Sequence, residues 1–311
     1  MRTRATRCRL CLPPGPGGGH PCRRWGDNRR GGGRQLYRFG EAAHRAFPGQ
    51  ETARSRLIPL LLAIFCLAFA LASQAADKIT IAAAADLKFA MDEVVVAFRK
   101  IHPADQVEVI YGSSGKFHTQ IQQGAPYDLY FSADIAYPRA LVEKGLAACA
   151  VKPYAFGRLV LWSPVLDVTR MSLRSLADPA ITRVAIANPK HAPYGKRAEE
   201  ALRTADLWEQ VEPKLVYGEN IAHTAQFVQT GNAQVGIIAL SLALNPELAG
   251  KGGYSLIPAK LHQPLEQGYI VTKRAQDNPL AWHFAAYIGS RQGHAVMTKY
   301  GFALPTEHNG T

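Results

Sequence analysis

The residues with chemistry to offer lie where strand-like runs give way to helix-like ones. The stretch Tyr111-Gly112-Ser113-Ser114-Gly115-Lys116-Phe117 follows a strand-like run at 107–110 and opens a helix-like run at 117–123. Its glycines permit unusual backbone angles and close approach of a ligand. Its serines can cap the helix, or give O–H and N–H groups to an anion at the helix's positive end. Three other junctions share this character: Ala84-Ala85-Asp86, Ala192-Pro193-Tyr194-Gly195 and Glu219-Asn220-Ile221-Ala222. A single junction of this kind is most simply an N-cap. Four of them are a pattern, because helix N-termini leave N–H groups without partners and carry partial positive charge. Several converging on one point hold a small anion with no Lys or Arg in contact with it.

Neutral donors also select. A fully ionised tetrahedral oxyanion only accepts hydrogen bonds, whereas a protonated phosphate would bury a P–O–H with no acceptor, at a cost of ~1–3 kcal/mol. Such a site favours molybdate, tungstate or sulfate over hydrogen phosphate. Other constellations are weaker. His118, His191 and His223 flank the junctions, but no pair has the i, i+4 spacing of a helical metal site. Asp128 and Asp134 could pair for acid–base work, yet they flank a strand and a helix cap. Trp162 sits in an apolar run and reads as core. No Ser-His-Asp set, P-loop or dinucleotide fingerprint stands out.

The elements that must position these residues alternate. Apolar residues at 87, 90, 91, 94 and 98 predict a helix over 86–100. Strands are expected at 78–83, 107–110, 127–132, 158–162, 183–187, 215–217, 235–239, 254–258 and 268–272, and further helices at 134–145, 194–204 and 222–230. A last helical region covers 279–300, interrupted near Gly289 and Gly293. Strand–helix alternation predicts an α/β fold whose sheets are covered on both faces. In such sheets, strand-to-helix junctions gather at the carboxyl ends of the strands, where ligands bind.

Composition agrees with a small-molecule partner. The chain has 311 residues, is 47% hydrophobic and 19% charged, and carries a net charge of +12. Residues 1–56 hold 13 of the 36 basic residues, all Arg, against three acids. The remainder has 23 basic and 21 acidic residues, a net of +2, so nucleic acid is not the expected partner. Residues 1–56 are rich in Arg, Gly and Pro and show no apolar period, so they should not pack a core. The reading adopted is upstream sequence translated from a misplaced start. Cys8-x-x-Cys11 with His20 and Cys22 is poorly spaced for zinc. Residues 57–75 have the form of a secretory signal: basic flank, uncharged apolar run over 57–72, and small Ser73 and Ala75 before the cut. Cys66 follows the bulky Phe65, which disfavours a lipoprotein anchor. Beyond the cut Cys149 stands alone, so no internal disulfide is expected.

The chain from 77 to 311 resembles the periplasmic molybdate-binding proteins of ABC transporters. The resemblance rests on Lys78-Ile79-Thr80-Ile81-Ala82-Ala83-Ala84-Ala85-Asp86-Leu87, Gly112-Ser113-Ser114-Gly115, Gly124-Ala125-Pro126-Tyr127-Asp128 running to Ser132-Ala133-Asp134, Gly157-Arg158-Leu159-Val160-Leu161-Trp162, Ala187-Asn188-Pro189 and Tyr300-Gly301-Phe302. The Gly-Ala-Pro-x-Asp-x-x-x-Ser-Ala-Asp block is the most specific of these. The resemblance implies a two-lobed type II periplasmic binding protein with two hinge crossovers, placed near Gly157 and Gln267. Lobe one would be residues 77–157 plus 268–311, and lobe two 158–267. It also implies a periplasmic location, a permease partner in the inner membrane, a monomer, no cofactor and no enzymatic activity.

By position in that family, the oxyanion donors would be the backbone at Ala85 and Asp86, the N–H and hydroxyl of Ser114, and the N–H groups of Tyr194 and Ile221. Where the family carries a hydroxyl or amide side chain, this chain has a methyl at Ala85 and a carboxylate at Asp86. Three readings of Asp86 stand open: it turns away and caps the helix, it is neutralised by Lys116 or Lys88, or it marks a different ligand. Sulfate reception, an exported hydrolase on the same fold, and a regulator's sensing domain are the competing functions. The signal segment and the lack of a DNA-binding module before residue 77 argue against the last. Sequencing the exported protein should give Ala76-Asp77-Lys78 as its N-terminus; a native precursor that begins at Met1 would refute the misplaced start.

Overall fold

The computed structural model describes residues 77–305; the N-terminal extension, the signal segment and the Cys8–Cys11 pair lie outside the described residues. Ten strands form two five-stranded sheets among the described residues. The first contains β1 (Lys78–Ala84), β2 (Gln106–Gly112), β3 (Leu129–Ser132), β4 (Lys152–Gly157) and β10 (Leu265–Val271), in the order β2-β1-β3-β10-β4. The second contains β5 (Leu159–Ser163), β6 (Val184–Ala187), β7 (Leu215–Gly218), β8 (Val235–Ala239) and β9 (Gly253–Leu256), in the order β7-β6-β8-β5-β9. The chain passes from one sheet to the other at Arg158 and returns between β9 and β10. This is a two-lobed α/β fold.

Among the described residues, seven helices of eight residues or more cover these sheets: α1 (Lys88–Ile101), α2 (Ser114–Gln122), α3 (Ala136–Glu143), α4 (Pro193–Thr204), α5 (Ile221–Gln229), α6 (Pro279–Ile288) and α7 (Arg291–Lys299). Their apolar faces make the cores. In α1, Ala90, Met91, Val94, Val95 and Phe98 are buried, and Phe98 meets Phe284 of α6 edge-on at 5.1 Å between ring centres. In the second lobe Trp162 is fully buried among Leu161, Val184, Ile186, Ile237 and their neighbours, as a core residue. Strands β1 and β6 are buried almost throughout, as strands covered on both faces must be.

The pairing direction places the site. β1 runs parallel to β2 and β3, and β6 runs parallel to β7 and β8. The helices that follow β2, β6 and β7 therefore begin at the carboxyl edges of their sheets, beside the turn that follows β1.

Three local readings needed adjustment. The expected helix at 86–100 begins with a 3₁₀ turn, Ala85–Leu87, and becomes α-helical at Lys88. Gly293 lies inside α7, so the break in the last helical region falls at Gly289-Ser290, where the Ser290 hydroxyl caps the new helix through the Gly293 N–H at 3.2 Å. β4 was not anticipated, because Pro153 and Gly157 read as loop residues. It is the edge strand of its sheet, where a missing N–H is tolerated.

One glycine is dictated by close packing at α4. A Cβ on Gly195 would lie 1.9 Å from the Ala187 carbonyl oxygen and 2.5 Å from its carbon, both backbone atoms of β6. The first turn of α4 therefore rests directly on the strand that precedes it. Gly195→Ala should force this helix end to shift and cost ~1–3 kcal/mol or more of stability. An unchanged urea-unfolding midpoint would show that the contact is softer than the geometry requires.

Candidate functional site

The four junctions meet. A small cavity is lined by Ala84, Ala85 and Asp86 after β1, Gly112, Ser113 and Ser114 after β2, Ala192, Pro193 and Tyr194 at α4, Asn220 and Ile221 at α5, and Ala133. All five residues singled out by position, Ala85, Asp86, Ser114, Tyr194 and Ile221, line it. Three helices reach it by their first turns, whose N–H groups have no partner within the helix. Pro193 takes the first position of α4, where an N–H is dispensable, so Tyr194 presents the first N–H of that helix. Asn220 caps α5 by accepting the His223 N–H at 2.9 Å, which leaves the Ile221 N–H at the open end. No Lys or Arg lines the cavity.

The two serines have separate tasks. Ser113 Oγ donates to the His191 carbonyl at 2.5 Å, and the Gly115 N–H reaches the same oxygen at 2.9 Å. Both bonds tie α2 of the first lobe to the segment before α4 of the second. Ser114 Oγ accepts the Ala133 N–H at 3.0 Å, while the Ser114 carbonyl accepts the Tyr130 hydroxyl at 2.7 Å. The acceptor role of Ser114 Oγ is thus filled within the protein and its O–H remains to be donated. Outside the cavity, Lys116 pairs with Glu219 and Arg197 approaches Asp134 at 3.5 Å, adding ion pairs between the lobes.

Asp86 takes neither of the two structural courses expected for it, capping or pairing with a lysine. It is 1% exposed, and its side chain caps no helix. Lys88 pairs with Asp92, and Lys116 with Glu219, so neither lysine neutralises it. Instead Oδ2 accepts from Gln267 Nε2 at 2.7 Å and from the Tyr194 hydroxyl at 3.0 Å. Gln267 in turn accepts from the Tyr154 hydroxyl at 2.6 Å, and Ser241 Oγ donates to the Asp86 backbone carbonyl at 2.8 Å. Oδ1 is buried without a hydrogen-bond partner. Burial pushes the carboxyl up to about 6; the hydrogen bonds from Gln267 and Tyr194 pull the other way without cancelling it. Burial, reinforced by Asp86, holds Tyr194 far above the ordinary tyrosine range, so its hydroxyl stays a donor.

Gln267, Tyr154 and Ser241 are the polar residues that inspection of the sequence did not find. Gln267 offered little signal, since it stands beside Glu266 in β10; unlike that neighbour it is completely buried. Gly157 shows why the network fits: a Cβ there would lie 2.1 Å from the Tyr194 hydroxyl oxygen and 2.7 Å from Gln267 Nε2. The remaining candidates are structural. Asp128 accepts the Thr80 N–H at 2.7 Å and pairs with Arg274 at 3.1 Å, and Asp134 accepts the Ala136 N–H at the start of α3. His118 bonds Gln122, His191 Nδ1 lies 3.0 Å from Ser113 Oγ, and His223 Nδ1 accepts the Glu219 N–H. They form no cluster of three metal-ligating side chains among the described residues.

A cleft between two α/β lobes, closed over a cavity lined by helix N-termini, is the arrangement of a solute receptor. The family model for bacterial extracellular solute-binding proteins matches residues 79–303. The chain belongs to that family. It is 34% identical over 247 residues to the molybdate-binding protein ModA of Azotobacter vinelandii, covering 79% of this chain and 97% of the relative. It is also 34% identical over 231 residues to ModA of Rhodobacter capsulatus, covering 73% and 89%. The solved periplasmic molybdate-binding protein of Azotobacter vinelandii superposes with a TM-score of 0.69 at 26% identity, over 73% of this chain and 99% of that one.

The buried carboxyl has a consequence for the stability of this solute-binding protein. Folding raises the Asp86 pKa from 3.8 to about 6, so the folded state holds the proton more tightly than the unfolded one. The contribution of this group to stability therefore falls as pH rises from about 4 to about 6, and is flat above. Asp86→Asn keeps the acceptor for Gln267 and Tyr194 without the charge. Its stability relative to the parent should rise by roughly 1–1.5 kcal/mol between pH 5 and pH 7.5. Denaturant melts at the two pH values measure this, and a constant difference would contradict the shift.

Proposed function

We propose that this protein is the periplasmic component of an ABC importer, and that it captures molybdate, with tungstate as a close second ligand, between its lobes. The observation that carries the reading is the meeting of four strand-to-helix junctions, two from each sheet, on one cavity without a cation. The names of the relatives support molybdate as the ligand. In this reading Ser114 donates its N–H and hydroxyl to the oxyanion. Tyr194 and Ile221 donate N–H groups from the second lobe, and the backbone at Ala85 and Asp86 completes the set. A ligand bonded to both lobes stabilises the closed form by contacts that an open form lacks. The lobe built on the first sheet would move against the lobe built on the second, and closure would be the state that a membrane permease reads. The protein would act as a monomer without cofactor or turnover. The metal of the oxyanion is reached only through its oxygens, so none of these residues is a metal ligand.

A thermal-unfolding panel tests the reading. A ligand present at 100 times its dissociation constant adds ~2.7 kcal/mol and should raise the midpoint by a few degrees. Molybdate and tungstate at about 1 mM should each do so, and phosphate should not. A shift with sulfate alone would keep the receptor and change its ligand, while no shift with any anion would remove the reading. Ser114→Ala should weaken molybdate binding by ~1–3 kcal/mol in a calorimetric titration, since it removes a donor to a charged acceptor. Unchanged affinity would place the ligand elsewhere.

A further inference from the structure

Asp86 is the one carboxyl among the residues that line the cavity. An oxyanion receptor built from neutral donors has no use for a second negative charge there. A carboxylate and a dianion in one buried site repel each other, and no cation lies between them. The surroundings of Asp86 offer no counter-charge. From α4 comes the Tyr194 hydroxyl, from β10 the Gln267 amide, from β4 the Tyr154 hydroxyl behind Gln267, and from residues 240–243 the Ser241 hydroxyl on its backbone. On α1, Lys88 is engaged by Asp92, which also accepts from Tyr111 of β2. At α5, His223 turns to the Glu219 N–H, and Lys116 and His191 face the Glu219 carboxylate, with Lys116 paired to it and His191 3.8 Å from it. Every hydrogen bond that the Asp86 side chain accepts from another side chain falls on Oδ2, leaving Oδ1 buried and bare.

We propose that this site captures its oxyanion together with one proton, which resides on Asp86 Oδ1 and turns that oxygen into a hydrogen-bond donor to the ligand. The inference rests on the oxyanion-receptor reading and deepens it. The step balances without a further reactant: ionised Asp86, one proton from solvent and the dianion give a neutral carboxylic acid beside the bound dianion. No bond to the central atom forms. The protonated carboxyl then supplies at this position the donor hydrogen that Ala85 cannot supply with a methyl group. Burial already sets the free carboxyl near 6, and a dianion in the same cavity raises it further, so the proton is held once the ligand is bound.

The coupling has a direct signature. At pH values above the pKa of the free carboxyl, one proton bound with the ligand makes the apparent dissociation constant rise about tenfold per pH unit. Titration of the purified protein with sodium molybdate at pH 6, 7 and 8 should show this rise between pH 7 and 8. Calorimetry at pH 8 in two buffers of different ionisation heat should count about one proton taken up per molybdate. The proton count needs no variant, so it stands whether or not a substitution folds. Asp86→Asn should bind with a dissociation constant independent of pH and take up no proton. A flat pH profile for the wild type, or a slope that survives in Asp86→Asn, would overturn the proposal while leaving the receptor in place. Failure of molybdate, tungstate and sulfate to bind at any of these pH values would overturn the receptor reading itself.

Discussion

The hydrogen bonds that converge on Asp86 join the two lobes and the strand that returns between them. Tyr194 belongs to the second lobe, Gln267 to the strand by which the chain returns to the first, and Asp86 to the turn after β1. A buried carboxyl without these donors would be too costly to keep, so the closed arrangement and the network require each other. Gly157 belongs to the same constraint. It lies one residue before the chain leaves the first sheet, and any side chain there would collide with Tyr194 and Gln267. The crossover, the cavity wall and the carboxyl are in this sense one unit.

Around that unit the fold provides donors instead of charges. Parallel strands carry the starts of α2, α4 and α5 to the sheet edges, and two lobes turn those edges toward each other. The cavity wall is otherwise made of small side chains, Ala84, Ala85, Ala133 and Ala192, which let backbone N–H groups come close. Three of them, Ala84, Ala85 and Ala133, belong to the first lobe yet pack with the core of the second. Hydrophobic contact and hydrogen bonding thus close the cleft at the same place. Ser113 and Gly115 contribute to closure through the His191 carbonyl, and Ser114 keeps its hydrogen for the cavity.

Much of this was legible in the residues because it depends on local order. Strand–helix alternation, the apolar period of α1, the cap at Asn220 and the four small-residue junctions are all properties of short stretches. The five residues Ala85, Asp86, Ser114, Tyr194 and Ile221 were named by their position in the family that the chain resembles, and each also sits at the start of a helix or turn, where local order is readable. β4 escaped because its Pro and Gly look like a loop until the strand is known to lie at an edge. Gln267, Tyr154 and Ser241 escaped because each meets its partner across a long separation in the chain, 181 residues in the case of Asp86 and Gln267.

The sequence by itself determined the class of fold, the places where helices begin, and the small or polar character of the junctions, because those follow from side-chain type and spacing over a few residues. The fate of Asp86 was decided only in three dimensions. Capping, pairing with lysine and burial among neutral donors are all open to an aspartate at the start of a helix, and each depends on what the other lobe brings. Tyr194 and Gln267 brought donors, and Lys88 and Lys116 were already engaged by Asp92 and Glu219. A carboxyl buried in that way is pushed up to about 6, because burial penalises the charge more than the hydrogen bonds restore it.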